Sequence, residues 1–214
     1  MDFSINQTCS ILYDSKLNYN DIKKLFLNNN INFDIDIPEN SGQPFTLTIT
    51  SPVLKIAKIN NGIINVSNTN RNNVSSGTVQ VIFQNSKNEN SLQSNMLEFL
   101  TYIDIFNKLK NVLYYEIHLS GLISQKYTRF KKFNIDIKSI NNPRSFGFKI
   151  FDGDMDGNVI NGPVKMIAVE PYVSDASKTY IDMVYRSPNV IDKEFFSIIT
   201  GDLKYIINNL IGDK

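Results

Sequence analysis

The chain has 214 residues, a formal net charge of +1, 42% hydrophobic and 20% charged residues, and a single cysteine. That length suits one large domain or two small, closely packed ones, and the apolar content excludes a disordered chain. Near-zero charge removes any global electrostatic argument for nucleic acid, an anionic membrane or an acidic partner, and one cysteine excludes an intrachain disulfide or a cysteine zinc cluster.

Asn and Ile each account for roughly one residue in seven, where Leu and Ala usually dominate. This reads as the product of a low-GC genome, and it inflates chance motifs. The glycosylation-type triplets at Asn6–Thr8, Asn65–Ser67 and Asn73–Ser75 are expected from such a composition by accident. The opening residues MDFSINQTCS lack the apolar core of a signal peptide. No stretch approaches the ~18 apolar residues of a membrane span. The expectation is a soluble, cytoplasmic protein without a membrane partner.

Helical spacing of Ile22, Leu25 and Phe26 predicts a short helix over 20–27. Strands follow by alternation: Phe33, Ile35 and Ile37; Phe45, Leu47 and Ile49; Val79, Val81 and Phe83. The polar, Asn-rich stretches 68–76 and 85–95 carry no periodicity and read as loops, the second separating two halves of about 1–90 and 91–214. Met96, Phe99, Leu100, Ile103 and Phe106 predict a helix over 95–110, with Ser94 or Asn95 as cap and Asn95 with Glu98 resembling a capping box.

Further strands are expected at 113–119, 133–137 and 146–150; those at 164–169 and 180–185 are apolar on both faces. The chain closes with a helix over about 190–211, striped by Ile191, Phe195, Ile199, Leu203, Ile206 and Leu210. Asn189 suits its cap, Asp192 and Glu194 its first turn, and Gly212 its stop. Gly201 inside it costs about 1 kcal/mol relative to Ala, so it marks a close backbone approach or a bend. Helices do not alternate singly with strands, which argues against a doubly wound sheet. The fold class is therefore α+β, an antiparallel sheet packed against two longer helices. Each half would be strands followed by a helix, a faint echo without any sequence repeat that does not by itself read as a duplication.

Three stretches carry candidate chemistry. Asp152, Asp154 and Asp156, followed by Gly157, match the opening of a calcium loop, where alternating carboxylates converge on the cation. The twelfth position is Pro163 instead of a bidentate Glu, so the site would be weak, and a polar hairpin turn explains the same residues. His118 is the only histidine, so any imidazole base must be this one. Glu116, two residues away on the same strand face, would be its carboxylate, against the plain alternative of a solvated face. The run from Lys126 to Phe133 interleaves basic and aromatic residues in the manner of single-stranded nucleic-acid surfaces, but strand alternation divides them between two faces.

Phosphate loops, dinucleotide fingerprints, nucleophile elbows and paired-His metal motifs are absent, so no cofactor is expected. The leading expectation is a non-enzymatic module that binds an apolar or amphipathic small molecule between the sheet and the closing helix. The alternative is a structural or protein-interaction subunit, including a homo-oligomer, and the third reading is a metal- or His-dependent enzyme.

Overall fold

Phe3, Ile5, Cys9, Ile11 and Tyr13 alternate along β1 (Phe3–Tyr13) and are all buried on one side. Gln7, buried among them, is the polar interruption that hides this period from the sequence. The computed structural model describes residues 3–31, 54–58, 62–71, 74–125, 147–153, 163–175, 177–209 and 211. The strands expected at 33–37, 45–49 and 133–137 and the basic-aromatic run 126–133 lie outside the described residues.

The first helix, α1 (Tyr19–Asn28), starts where Asn18 Oδ1 accepts the Asn20 N–H at 2.8 Å. It ends where Asn30 turns left-handed, with φ at 55°. There the Ile31 N–H reaches the Phe26 carbonyl at 2.9 Å and the Asn30 N–H reaches that of Leu27, the paired bonds that close a helix through a left-handed residue. Asn takes that conformation more readily than other non-glycine residues. The helix buries Ile22 and Phe26.

Three strands follow: β2 (Leu54–Lys58), β3 (Gly62–Arg71) and β4 (Val74–Ser86). The loop expected at 68–76 is instead the closing end of a hairpin, since β3 and β4 pair without interruption from Gly62 opposite Phe83 to Arg71 opposite Val74. Asn is a poor strand former, but Asn68 puts its amide to use. Its Oδ1 accepts the Leu17 N–H at 2.8 Å and its Nδ2 donates to the Leu17 carbonyl at 3.0 Å. Gly77, opposite Asn68, leaves room for this clamp; a Cβ there would lie 2.5 Å from Leu17 Cγ.

The loop expected at 85–95 shrinks to two residues. Helix α2 (Glu89–Phe106) begins well before residue 95 because Asn88 and Ser91 form a capping box, Asn88 Oδ1 accepting the Ser91 N–H at 2.9 Å. Asn95, expected as the cap, is instead buried inside the helix and donates from Nδ2 to Ser86 Oγ at 2.9 Å. The second half runs β5 (Val112–Ile123), β6 (Phe148–Gly153), β7 (Val164–Pro171), β8 (Thr179–Ser187) and α3 (Lys193–Asn209). Asp192 takes the capping role expected of Asn189, its Oδ1 accepting the Phe195 N–H at 3.0 Å. No other backbone comes close to Gly201, where a Cβ would meet nothing within 4 Å, and the helix continues through it.

All the described strands join one antiparallel sheet in the order β2-β3-β4-β1-β5-β8-β7-β6. The fold is α+β, and among the described residues the helices are the short α1 and the two longer α2 and α3. The core lies between one sheet face and the helices. Cys9, Ile11, Val79, Val81, Phe83, Ile117 and Met183 from the sheet and Phe99, Ile199 and Leu203 from α2 and α3 are all essentially inaccessible.

Candidate functional site

The face turned away from this core carries the polar chemistry. Strand registry sets Asn65, Gln80, Ser10, Glu116 and Arg186 opposite one another on β3, β4, β1, β5 and β8, a polar row crossing five strands. Arg186 donates from Nε at 3.1 Å and from Nη2 at 2.7 Å to Glu116 Oε2. Its guanidinium also lies 4.1 Å above the Tyr114 ring, so three side chains from two strands form one rigid group. Burial raises the Tyr114 phenol pKa, the Arg186 charge opposes that rise, and Glu116 adds to it. Gln80 extends the row by donating to Ser10 Oγ at 3.4 Å.

His118 stands one step along the same face, opposite Thr8 on β1 and Val184 on β8. Its Nε2 lies 2.6 Å from Asp182 Oδ1. Glu116 shares the face as the alternation implies, but its partner is Arg186, and the carboxylate against His118 is Asp182. A carboxylate held to one ring nitrogen orients an imidazole as a general base through the other nitrogen. Among the described residues His118 makes no other hydrogen bond, so no hydroxyl is poised against it. The only thiol, Cys9, is buried on the opposite face, where desolvation pushes its pKa up to about 12. That suppresses the thiolate a nucleophile requires. Beyond His118, burial and the nearby Asp182 and Glu170 raise the Tyr180 phenol, against a hydrogen bond from Ser120 that lowers it.

Sequence reading missed Asp182 and Arg186. Tyr180, Asp182, Val184 and Arg186 occupy one face of β8 and the buried Ile181, Met183 and Tyr185 the other. The alternation was present, but the mixed character of Tyr and Val made both faces look apolar. Asp152 lies in the edge strand β6, opposite Lys165 of β7; Asp154 and Asp156 are outside the described residues. Among the described residues no three His, Cys, Asp or Glu side chains gather as metal ligands.

A second feature lies on the helix layer. Met96 and Phe196 floor a groove of about 150 Å³ between α2 and α3, with Leu97 as an apolar wall and Gln93, Lys193, Ser197 and Thr200 at its sides. Leu97 is 48% exposed there, as single surface leucines commonly are. No described helix is long and apolar enough to cross a membrane. Comparison with protein-family models, with curated proteins and with solved structures finds no match to this chain.

Proposed function

We propose that the protein is a non-enzymatic binding module that receives an apolar or amphipathic group in the seam between α2 and α3. The observation that carries this reading is the groove itself: about 150 Å³, floored by Met96 and Phe196. A volume of about that size holds one benzene-sized group, well short of the roughly 300 Å³ or more of drug-sized pockets. Lys193 at the rim favours an anionic head beside the apolar part, which makes benzoate or hexanoate a better probe than toluene.

A ligand at ten times its Kd should raise the thermal midpoint by roughly 3–6 °C. Ser197→Phe, an exposed position that would fill the groove, should abolish that rise without lowering the parent midpoint. Absence of any shift across such a panel, with unmoved Met96 methyl resonances, would remove the proposal. A second reading rests on Leu97 and Ile198, 48% and 43% exposed on this helix layer: the apolar group arrives on a partner chain, including a second copy. Concentration-dependent mass in light scattering, lost in Leu97→Asp, distinguishes that case.

A further inference from the structure

Counted outward from the centre of the sheet, one side reads β1, β4, β3, β2 and the other β5, β8, β7, β6. In both series the first strand lies innermost and the last strand beside it, and that last strand leads directly into a helix, α2 or α3. The innermost strands pair antiparallel, from Phe3 opposite Ile123 onward, as a dyad normal to the sheet requires. The helices obey the same dyad. They run antiparallel, with Lys204 Nζ late in α3 lying 2.9 Å from Glu89 Oε2 at the start of α2.

The correspondence extends to single residues. Asn88 and Asp192 are the two caps, and each accepts the backbone N–H of the residue three places on. Counting from them, the buried Leu92, Asn95, Met96, Phe99 and Ile103 fall on the buried Phe196, Ile199, Thr200, Leu203 and Ile207. From 88 to 105 against 192 to 209, exposure differs only at Glu89/Lys193, Leu100/Lys204 and Tyr102/Ile206. Yet Ile103 and Ile207 are the only identical pair. Two unrelated helices share an inward period of 3.6, but not a common cap geometry, phase and place after equivalent strands.

We infer that the chain is two copies of one unit, fused and diverged, whose described elements in common are four strands and a closing helix; α1 follows the first strand of the first unit, and the corresponding stretch after β5 lies outside the described residues. The dyad relating them passes between β1 and β5 and through the α2/α3 groove, whose Gln93 and Ser197, and Met96 and Thr200, are equivalent positions. The groove is therefore the junction between units. The unit boundary falls after α2, in residues 107–111.

Equivalence requires the step from α3 back to β1 to match the step from α2 to β5, which residues 107–111 cover. A full-length circular permutant joining residue 214 to residue 1 and opened between Leu109 and Lys110 is expected to unfold cooperatively within about 4 °C of the parent. The same join opened between Lys87 and Asn88 parts a unit's last strand from its helix, and should melt lower than the first permutant. Equal midpoints for the two permutants, or the reverse order, overturn the unit boundary and the inference with it. If neither permutant folds, the parent chain cyclised by a transpeptidase in its folded state decides. A midpoint at or above the parent's supports the inference, and one below it overturns it.

Discussion

Replacing Asn68 with Ala removes both hydrogen bonds that hold Leu17 at the turn from β1 into α1, those of 2.8 and 3.0 Å. Both are buried, so the Leu17 N–H and carbonyl lose their partners where water does not readily replace them. Leaving a buried donor or acceptor unpaired costs about 1–3 kcal/mol, and partial relaxation brings the pair to roughly 2–4 kcal/mol. For a chain of this length that lowers the thermal midpoint by roughly 5–12 °C. The Leu17 amide should lose most of its hydrogen-exchange protection, while amides in the β5–β8 ladder keep theirs.

Asn68→Asp separates the clamp from simple loss of volume. Its carboxylate still accepts from the Leu17 N–H, but it opposes the Leu17 carbonyl and is buried, so its folded pKa rises above the unfolded ~3.9. Below the unfolded value the acid is protonated in both states and donates to that carbonyl, so the deficit relative to the parent is small. The deficit then grows as pH climbs from the unfolded pKa to the folded one. Chemical denaturation of parent and variants at pH 4 and pH 7 measures this. An Ala variant within about 0.5 kcal/mol of the parent, or an Asp deficit equal at both pH values, would refute the reasoning.

Gly201→Ala should stabilise by about 0.5–1 kcal/mol, because the added methyl meets nothing within 4 Å and helical Ala outperforms Gly; a lower denaturation midpoint contradicts this. Gly121→Ala should destabilise by at least ~2 kcal/mol, since a Cβ there falls 2.1 Å from the Ser4 carbonyl oxygen in the central strand pair, and wild-type stability would show the pair to be looser than described. Cys9, with its pKa near 12 from burial, should resist a thiol reagent at pH 8 in the native protein and react fully in denaturant; fast native labelling disproves its burial. Tyr185→Phe deletes the 2.7 Å hydrogen bond to Asp202 Oδ2 that ties β8 to α3, costing about 1.5–3 kcal/mol by equilibrium unfolding; a neutral change would place that pair in solvent.

Elements with a clean period were legible. Met96, Phe99, Ile103 and Phe106 in α2, Ile199, Leu203 and Ile206 in α3, and Tyr115, Ile117 and Leu119 in β5 are buried as their spacing implies, whereas Leu100, Leu113 and Phe195 are half-buried and Phe196 takes the inward place. What sequence reading lost were elements whose polar residues are used structurally. Asn68 looks like loop composition until its amide is seen on Leu17. Asn30 and Asn85, both at φ 55°, use the left-handed tolerance that also makes Asn a turn residue. Gln7 interrupts β1 while remaining fully buried, with its Nε2 against Cys9 Sγ at 3.5 Å. The helix starts were displaced because several residues could cap, and only the one with a free N–H three places on does so. The polar site was half visible: one strand supplies His118 and Glu116, but their partners come from β8, 64 and 70 residues away, a distance across which alternation carries no information.

The central position of β1 also governs how the protein is made. Ile11 pairs with Val79 on one side and Tyr115 on the other, so β1 waits about 70 and then about 100 residues for its neighbours. At a synthesis rate of about 5–20 residues per second, its backbone edges stay unpaired for several seconds on the ribosome. Pairing at such sequence separation is also slow once the chain is complete. Nascent β1 thus has both edges open to other chains until β4 and β5 emerge, and a polar residue such as Gln7 in its apolar row works against self-association in that interval.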